Sequence, residues 1–284
     1  MPDNYITLNI SIPFEYQELL IAELLDMDFH GFEQEDDQLN ATISQNRYSD
    51  VIRQEIEEWL SLQPYPARII GEHTDEPRDW NEEWERSIRP LVIGRFFVKP
   101  TWVDEPVPDG KILLEIDPKM AFGTGYHEST RLVLRLLPSA IRKGDTVLDV
   151  GTGTGILSIA ALKLGAISAF GFDIDEWSSN NARGNAVINN VTDLYKIAEG
   201  SFEVVPGEGT YDVILANVNR NTLLEMQKPL EKHLKPGGRL FLSGLLETER
   251  PMMLEAPGFS RLKLENEMQE GEWIALLLTK PLPS

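Results

Sequence analysis

Closely spaced glycines give the first sign of chemistry in this chain of 284 residues. A largely apolar segment at 147–150 leads into a turn with glycine at every second position, Gly151, Gly153 and Gly155, and a helical pattern follows. Glycines at this spacing let a ligand lie against bare backbone, whose N–H groups are then exposed to it. The pattern predicts a ligand-binding turn between a strand and a helix, with a purely structural turn as the alternative.

An acidic residue at the end of the next apolar segment fits a ribose. Asp173 follows Gly151 by about 20 residues, the offset at which a carboxylate meets ribose hydroxyls in nucleotide-binding βαβ units. A carboxylate accepts both hydroxyl protons in charge-assisted hydrogen bonds. We therefore predict that Asp173 binds a ribose, whereas Asp175 has the alternative role of capping the helix that follows.

The same turn does not fit a dinucleotide. The G-x-G-x-x-G fingerprint of nicotinamide enzymes needs a third glycine where this chain has Ile156. This mismatch argues against a nicotinamide-dependent oxidoreductase, which is one alternative function. A binding protein that retains the fold without catalysis is another, and the intact candidate contacts argue against it.

Two further segments are predicted to reach the same crevice. The apolar segment 211–217 ends at Asn217, whose amide offers a donor and an acceptor, with helix capping as its alternative role. The segment 116–130 carries two glycines and two threonines beside Phe122, which predicts a loop that folds over a ligand. His127 in this loop is interpreted as a structural hydrogen-bonding residue, with a catalytic base or a substrate contact as alternatives.

Strands that alternate with helices must position these residues. Apolar segments separated by segments of helical periodicity predict a parallel sheet with helices on both faces. The predicted strands of this alternating region are 146–150, 169–173, 194–198, 213–217 and 239–243, and the predicted helices are 128–137, 156–164, 176–190, 220–234 and 247–255. Two further strands, 91–100 and 112–116, are predicted to precede it. A hairpin of 261–267 and 273–279 is predicted to add antiparallel strands at the sheet edge.

A different pattern precedes this α/β region. Strands and helices are predicted there in the order β-α-β-β-α-β, the split βαβ arrangement of ferredoxin-like units. We predict a small α+β ferredoxin-like domain over 1–73, a linker helix over 74–90 and a larger α/β domain over 91–284. Trp80 and Trp84 share one face of the linker helix, which favours packing between domains over stacking on a ligand.

Composition limits the partners and the location. The chain has 26 basic and 46 acidic side chains, for a net charge of −20, and such a surface repels phosphate backbones and anionic lipid. Residues 1–60 hold 14 of the acidic and two of the basic side chains, a concentration that solubility alone does not predict and that favours a basic partner. The chain has no cysteine, no apolar run of about 20 residues and no signal-peptide pattern. The sequence thus predicts a cytoplasmic protein that binds neither nucleic acid nor membranes.

Four motifs together resemble those of the PrmA family, which methylates large-subunit ribosomal protein L11. They are the loop AFGTGYHEST at 121–130, the glycine-rich turn and helix GTGTGILSIAALKLGA at 151–166, the DID sequence at 173–175 and the AN pair at 216–217. The loop is much more specific than the glycine-rich turn. The resemblance extends through 79–102 and to the N-terminal unit, so it spans essentially the whole chain.

The resemblance implies a fold, a reaction and a set of site residues. The fold is a Rossmann-like methyltransferase domain that uses S-adenosylmethionine, preceded by a ferredoxin-like substrate-recognition domain. The reaction is methylation of lysine ε-amino groups of protein L11, with the N-terminal α-amino group as a further acceptor, by a monomer that needs no metal. Cofactor contacts are implied at Thr130, Gly151, Gly153, Asp173 and Asn217, and Asn217 is also expected to orient the acceptor amine.

The chain departs from the family pattern beside the expected substrate mouth. Val218, Asn219 and Arg220 follow Asn217 where the family usually has Ile-Leu. This departure leaves a different protein or a small molecule as an alternative acceptor. Methyltransferases that act on bases or on glutamine often carry Asn-Pro-Pro-aromatic at this place, and this chain has neither the prolines nor the aromatic residue.

Overall fold

The computed structural model describes residues 4–75, 88–119, 123–207 and 210–283, and the chain divides into two compact units, Met1–Ser87 and Ile88–Ser284. The first unit consists of β1 (Tyr5–Ser11), α1 (Phe14–Asp26), β2 (Gly31–Gln34), β3 (Gln38–Ser44), α2 (Asp50–Ser61) and β4 (Arg68–Asp75). Its strands pair antiparallel in the order β2-β3-β1-β4. This order is the predicted ferredoxin-like arrangement.

One face of this small sheet forms the core of the first unit. The two-residue period of a strand turns Ile6, Leu8 and Ile10 of β1 to the same face, and all three are buried. The helices contribute Leu20, Leu24, Ile56 and Leu60 to the same core. Both helices therefore cover the sheet from one side.

The second unit begins with a three-stranded sheet in the order β5-β6-β7. Its strands are β5 (Leu91–Ile93), β6 (Phe96–Pro100) and β7 (Ile112–Ile116). The prediction of a single strand over 91–100 is wrong because Gly94, with a φ of +56°, lies in a turn that reverses the chain. As a result β5 and β6 pair antiparallel, whereas β6 and β7 pair parallel.

A seven-stranded sheet follows in the order β10-β9-β8-β11-β12-β14-β13. Its strands are β8 (Thr146–Val150), β9 (Ser168–Asp173), β10 (Tyr195–Glu199), β11 (Tyr211–Asn217), β12 (Leu234–Leu246), β13 (Lys263–Glu270) and β14 (Trp273–Thr279). The strands from β8 to β12 pair parallel, as predicted. The predicted hairpin is confirmed, and its second strand, β14, pairs with β12, so that β13 forms the edge.

Helices cover both faces of this sheet, as the alternation of elements predicts. They are α3 (Glu128–Ala140), α4 (Ile156–Lys163), α5 (Glu176–Ile188), α6 (Arg220–His233) and α7 (Arg250–Glu255). Alternate residues of β11 divide between two cores, with Val213 and Leu215 in one and Ile214 and Ala216 in the other. The helices α3, α4 and α5 pack into the first core, and α6 and α7 pack into the second.

The division into three segments stays a prediction. Most of the linker helix expected over 74–90, with Trp80 and Trp84, lies outside the described residues, and β4 runs to Asp75, past the expected domain end at residue 73. Of the helices in the described ranges, none combines the length and the apolar content that crossing a bilayer requires.

Candidate functional site

The carboxyl ends of β8, β9 and β11 meet around a cavity of about 480 Å³. Parallel strands bring their carboxyl ends to one edge of a sheet, which is where ligands of open α/β sheets bind. Gly151, Gly153, Asp173 and Asn217 line this cavity, and Thr130 is buried in hydrogen-bond contact with Asn217. The fold therefore brings together all five residues that the sequence singles out.

Positive φ angles set the path of the glycine-rich turn. Gly151, Gly153 and Gly155 have φ angles of +64°, +54° and +80°. A Cβ atom at Gly151 would lie 2.6 Å from Cγ1 of Val218, so a larger residue there would displace the segment after β11. The glycines thus serve a backbone conformation and a close approach at the edge of the cavity.

Two backbone N–H groups hold the carboxylate of Asp173 at the end of β9. Gly153 N donates to Oδ2 over 3.0 Å, and Asp175 N donates to Oδ1 over 3.1 Å. Each oxygen keeps accepting capacity for another donor, so the carboxylate can take two hydroxyl groups side by side. Asp175 caps α5 by accepting from Trp177 N and Ser178 N, which confirms its predicted alternative role.

The side-chain amide of Asn217 is held in place, but of its two polar groups only the NH₂ group has a hydrogen-bond partner among the described residues. Its Nδ2 donates to Oγ1 of Thr130, at the start of α3, over 3.3 Å. Its Oδ1 is buried and has no hydrogen-bond partner among the described residues. A buried acceptor without a donor costs about 1–3 kcal/mol, so the site is suited to a ligand that brings an N–H or O–H group. The alternative role of Asn217 as a helix cap is wrong because Asn219 caps α6.

His127 and Trp273 form an aromatic wall of the cavity. Nδ1 of His127 accepts from Ser129 N over 3.2 Å and caps α3, which confirms its interpretation as a structural hydrogen-bonding residue. The ring centroids of His127 and Trp273 lie 4.5 Å apart in an edge-to-face arrangement. Because Nδ1 accepts from an amide, the neutral ring carries its proton on Nε2, and a base at Nε2 is excluded in that tautomer.

Comparison with known proteins decides the family. Residues 7–281 match the sequence profile of the family described as Ribosomal protein L11 methyltransferase (PrmA). The chain belongs to this family. A Bacteroides fragilis protein named Ribosomal protein L11 methyltransferase is 34% identical over 263 residues, which cover 91% of this chain and 92% of that protein. A Pelobacter propionicus protein of the same name is 40% identical over 220 residues, which cover 75% of this chain and 69% of that protein.

A solved structure supports the same assignment. The crystal structure of ribosomal protein L11 methylase from Lactobacillus delbrueckii subsp. bulgaricus matches with a TM-score of 0.63 and 31% identity, over 68% of this chain and 100% of that chain. The predicted family, the α/β methyltransferase fold and the dependence on S-adenosylmethionine are confirmed. A nicotinamide-dependent oxidoreductase is not favoured.

This PrmA-family chain carries a buried carboxylate beneath the glycine-rich turn. The sequence patterns assign no role to this residue. Asp149 is only 2% exposed, and its Oδ2 accepts from Thr152 Oγ1 over 2.7 Å and from Ser158 Oγ over 2.8 Å. The hydroxyl of Tyr195 hydrogen-bonds to Thr152 Oγ1 in turn. Burial raises the pKa of Asp149 to about 6. Together with the Thr152 hydroxyl, the Asp149 carboxylate therefore links the glycine-rich turn to α4 and β10.

Asp149→Asn is expected to change how stability depends on pH. The pKa of Asp149 is about 6 in the folded chain and 3.8 when unfolding exposes the side chain. Between these two pH values the folded state therefore binds more protons than the unfolded state. The free energy of unfolding of the wild type therefore falls as pH rises through this window, by on the order of 3 kcal/mol. The variant, which does not titrate at this position, lacks that fall. Denaturant unfolding at about pH 4, 6 and 8 measures the difference, and parallel pH profiles for the two proteins would contradict it.

Trp273 lines the cavity of this methyltransferase but carries no local sequence signal of that role. Trp273 begins β14, more than 100 residues after the glycine-rich turn, and looks in sequence like any strand residue. Arg131 of α3 donates to Glu270 at the tip of the same hairpin over 2.7 Å, and this contact lowers the pKa of Glu270. The hairpin that presents Trp273 is thereby tied to the helix that begins beside His127.

Proposed function

We propose that this chain transfers methyl groups from S-adenosylmethionine to lysine ε-amino groups of large-subunit ribosomal protein L11, with the N-terminal α-amino group as a further acceptor. One observation carries the proposal. In a member of the PrmA family, the cavity at the strand ends combines the paired acceptor oxygens of Asp173 with Asn217 Oδ1, which no described residue hydrogen-bonds. The two oxygens of Asp173 suit the hydroxyls of a ribose, and the oxygen of Asn217 suits an amine.

The residues around the cavity fit the cofactor. Asp173 would accept the two ribose hydroxyls, and Gly151 and Gly153 would let the ligand lie against the backbone of the turn. Thr130 would act through Asn217, whose amide it orients. When bound, S-adenosylmethionine supplies a methyl group that its sulfonium already activates for displacement. The chain therefore has to position and desolvate the acceptor more than it has to activate the donor.

The acceptor amine must reach the cavity without its extra proton. A lysine ε-amine has a reference pKa near 10.4, so the protonated form dominates at neutral pH and cannot act as a nucleophile. In our proposal Asn217 Oδ1 accepts a hydrogen bond from the neutral amine and aims its lone pair. Asp173 and His127 are the titratable residues among those lining the cavity, and both are engaged in other hydrogen bonds. We infer that the amine loses its proton to water rather than to a dedicated base.

The segment after Asn217 borders the cavity. Val218 and Asn219 line the cavity, and Arg220 forms an ion pair with Glu249 at 3.2 Å. These residues directly follow Asn217 in the sequence. The family and the names of its curated members do not favour a different protein or a small molecule as the acceptor.

One labelling experiment tests the function. Purified L11 is incubated with the enzyme and deuterated-methyl S-adenosylmethionine, and peptides are mapped by mass spectrometry. Labelled methyl groups on lysine or on the α-amine of L11 are expected. If the enzyme binds the cofactor but leaves L11 unlabelled, while another protein in a ribosomal extract is labelled, the acceptor assignment is wrong.

The acidic N-terminal unit is proposed to attract this basic substrate. Glu35, Asp36 and Asp37 are exposed in the turn between β2 and β3. The buried Gln17 donates from Nε2 to Glu35 O over 2.6 Å and holds the backbone of that turn against α1. Opposite charges raise the rate of encounter, and salt screens the effect.

Neutralising this turn is expected to slow association at low salt. The combined variant Glu35→Gln, Asp36→Asn and Asp37→Asn should lower the association rate with L11 by roughly threefold, and the difference should vanish at about 1 M salt. Stopped-flow fluorescence at several salt concentrations measures it. The matched control makes the same charge change at exposed acids of the second unit, Asp104, Glu105 and Asp109. Equally reduced rates for the two variants would assign the effect to net charge and not to this turn, and rates equal to that of the wild type would show that the acidity serves solubility alone.

We also infer a monomeric cytoplasmic enzyme that makes no direct contact with nucleic acid. The net charge of −20 supports the last point, since phosphate backbones are repelled by such a surface. A ribosomal protein as substrate supports the location. Sedimentation of the purified enzyme, alone and with ribosomal RNA, tests both the oligomeric state and the absence of RNA binding.

A further inference from the structure

A row of asparagines on α5 takes the place of a strand that β7 lacks. In the described part of the chain β7 pairs with β6 on one side only. On its other edge, Asn189 Oδ1 accepts from Glu115 N over 3.2 Å, and Nδ2 donates to Glu115 O over 2.6 Å. Asn185 pairs with Asp117 in the same way, accepting from N over 2.8 Å and donating to O over 3.2 Å. The backbone groups of Glu115 in β7 and of Asp117 just after it are therefore satisfied by side chains on this edge.

The repeat distances of a strand and of a helix explain why side chains of one helix can pair with the edge of a strand. Alternate residues of a strand present their N–H and C=O groups to the same edge at intervals of roughly 6.6 Å. Residues four apart on a helix recur on one face at intervals of about 6 Å. Asn181, Asn185 and Asn189 follow the helical interval, and all three are buried. Asn181 adds a third contact by donating to Asp117 O over 3.0 Å.

Asn185 differs from its neighbours because it also reaches the glycine-rich turn. Its Nδ2 lies 3.0 Å from Thr154 O, within the turn that lines the cavity. Thr154 Oγ1 donates in turn to Gly123 O over 2.5 Å, in the segment that leads to α3. Asn189, one helical turn further on, contacts β7 and its own helix but not the turn.

We propose that Asn185 is a positioning residue for cofactor binding, which holds the glycine-rich turn against the end of β7, whereas Asn189 contributes to stability alone. The inference rests on the proposed role of the turn in binding S-adenosylmethionine. Loss of the Asn185 amide removes the contact to the carbonyl of Thr154 and the acceptor of the Asp117 N–H, whereas the Asp117 carbonyl keeps its donor on Asn181. The turn then loses the contact that fixes it from the side of α5.

Two matched variants test the proposal. Asn185→Ala and Asn189→Ala each remove one amide from the same face of the same helix, and both should lower the melting temperature. Asn185→Ala should also raise the Kd of S-adenosylhomocysteine by about tenfold in calorimetry, with kcat at saturating cofactor changed much less. Asn189→Ala should keep that Kd within about twofold of the wild type. An unchanged Kd in Asn185→Ala, or an equal loss in Asn189→Ala, would overturn the proposal.

A measurement on the wild type covers the case in which Asn185→Ala does not fold. Binding of S-adenosylhomocysteine should slow hydrogen exchange of the Asp117 amide, which Asn185 holds, by about tenfold. The Glu115 amide, which Asn189 holds, should change much less. Equal changes at both amides would overturn the proposal. Failure of the wild type to bind S-adenosylhomocysteine would instead overturn the proposed cofactor role, and this inference with it.

Discussion

Asp173→Asn is expected to weaken the binding of S-adenosylmethionine by on the order of 100-fold. The carboxylate is oriented by Gly153 N and Asp175 N, so it is ready to accept two hydroxyl groups without rearrangement. An amide at this position removes the negative charge. It also turns an NH₂ group towards a backbone N–H or towards a ribose hydroxyl, where an acceptor is needed. Calorimetric titration of the variant with S-adenosylhomocysteine measures the loss.

The control for this prediction lies two residues along the chain. Asp175→Asn removes a charge of the same sign but preserves an efficient N-cap for α5, so affinity for the cofactor should change by less than about twofold. Equal losses in the two variants would assign the effect to general electrostatics. Unchanged affinity in Asp173→Asn would remove the carboxylate from the cofactor site.

Asn217→Ala is expected to lower kcat for L11 methylation by on the order of 100-fold, which is the size of effect seen when one positioned hydrogen-bonding group is lost from an active site. Its Oδ1 has no partner among the described residues, and its Nδ2 is fixed by Thr130. We expect affinity for L11 to be retained, because the side chain is buried at the end of β11 and contributes little contact surface. Single-turnover methylation and a separate binding titration distinguish the two quantities.

Two companion variants make this result interpretable. Asn217→Asp keeps an acceptor oxygen and can accept from the Thr130 hydroxyl, so it should recover part of the lost rate. Asn221→Ala removes an exposed amide four residues further on, whose oxygen contacts Arg220, and should leave the rate within about twofold of the wild type. Unaltered turnover in Asn217→Ala would rule out its role in orienting the amine.

The parts of the site that the sequence predicts are those built from a few neighbouring residues. The glycine-rich turn, the acid that ends β9 and the amide that ends β11 each belong to a strand or to the turn that follows it. A parallel sheet brings such strand ends together whatever the remaining sequence is, so their proximity could be predicted as well. The ferredoxin-like order followed from the alternation of strand and helix patterns in the same way.

The parts that could not be predicted depend on contacts between distant segments. Asn217 and Thr130 are 87 residues apart, and only the folded chain shows that they are in contact while Asn217 Oδ1 has no donor among the residues that the structure describes. The Trp273 wall depends on which strand of the hairpin pairs with β12. The split of 91–100 depends on one glycine whose φ angle the apolar pattern does not reveal.

The sequence by itself predicted the fold class from its periodicity, and the resemblance of its motifs to a known family implied the cofactor, because motifs and periodicity are local properties that each element expresses alone. Tertiary structure decided which polar groups are satisfied. In sequence the asparagines of α5 resemble ordinary polar helix residues, and only the fold places them beside an edge of β7 that no strand of the described ranges covers. Buried hydrogen-bonding groups need a partner, and the partner is chosen by packing between elements that the sequence keeps far apart.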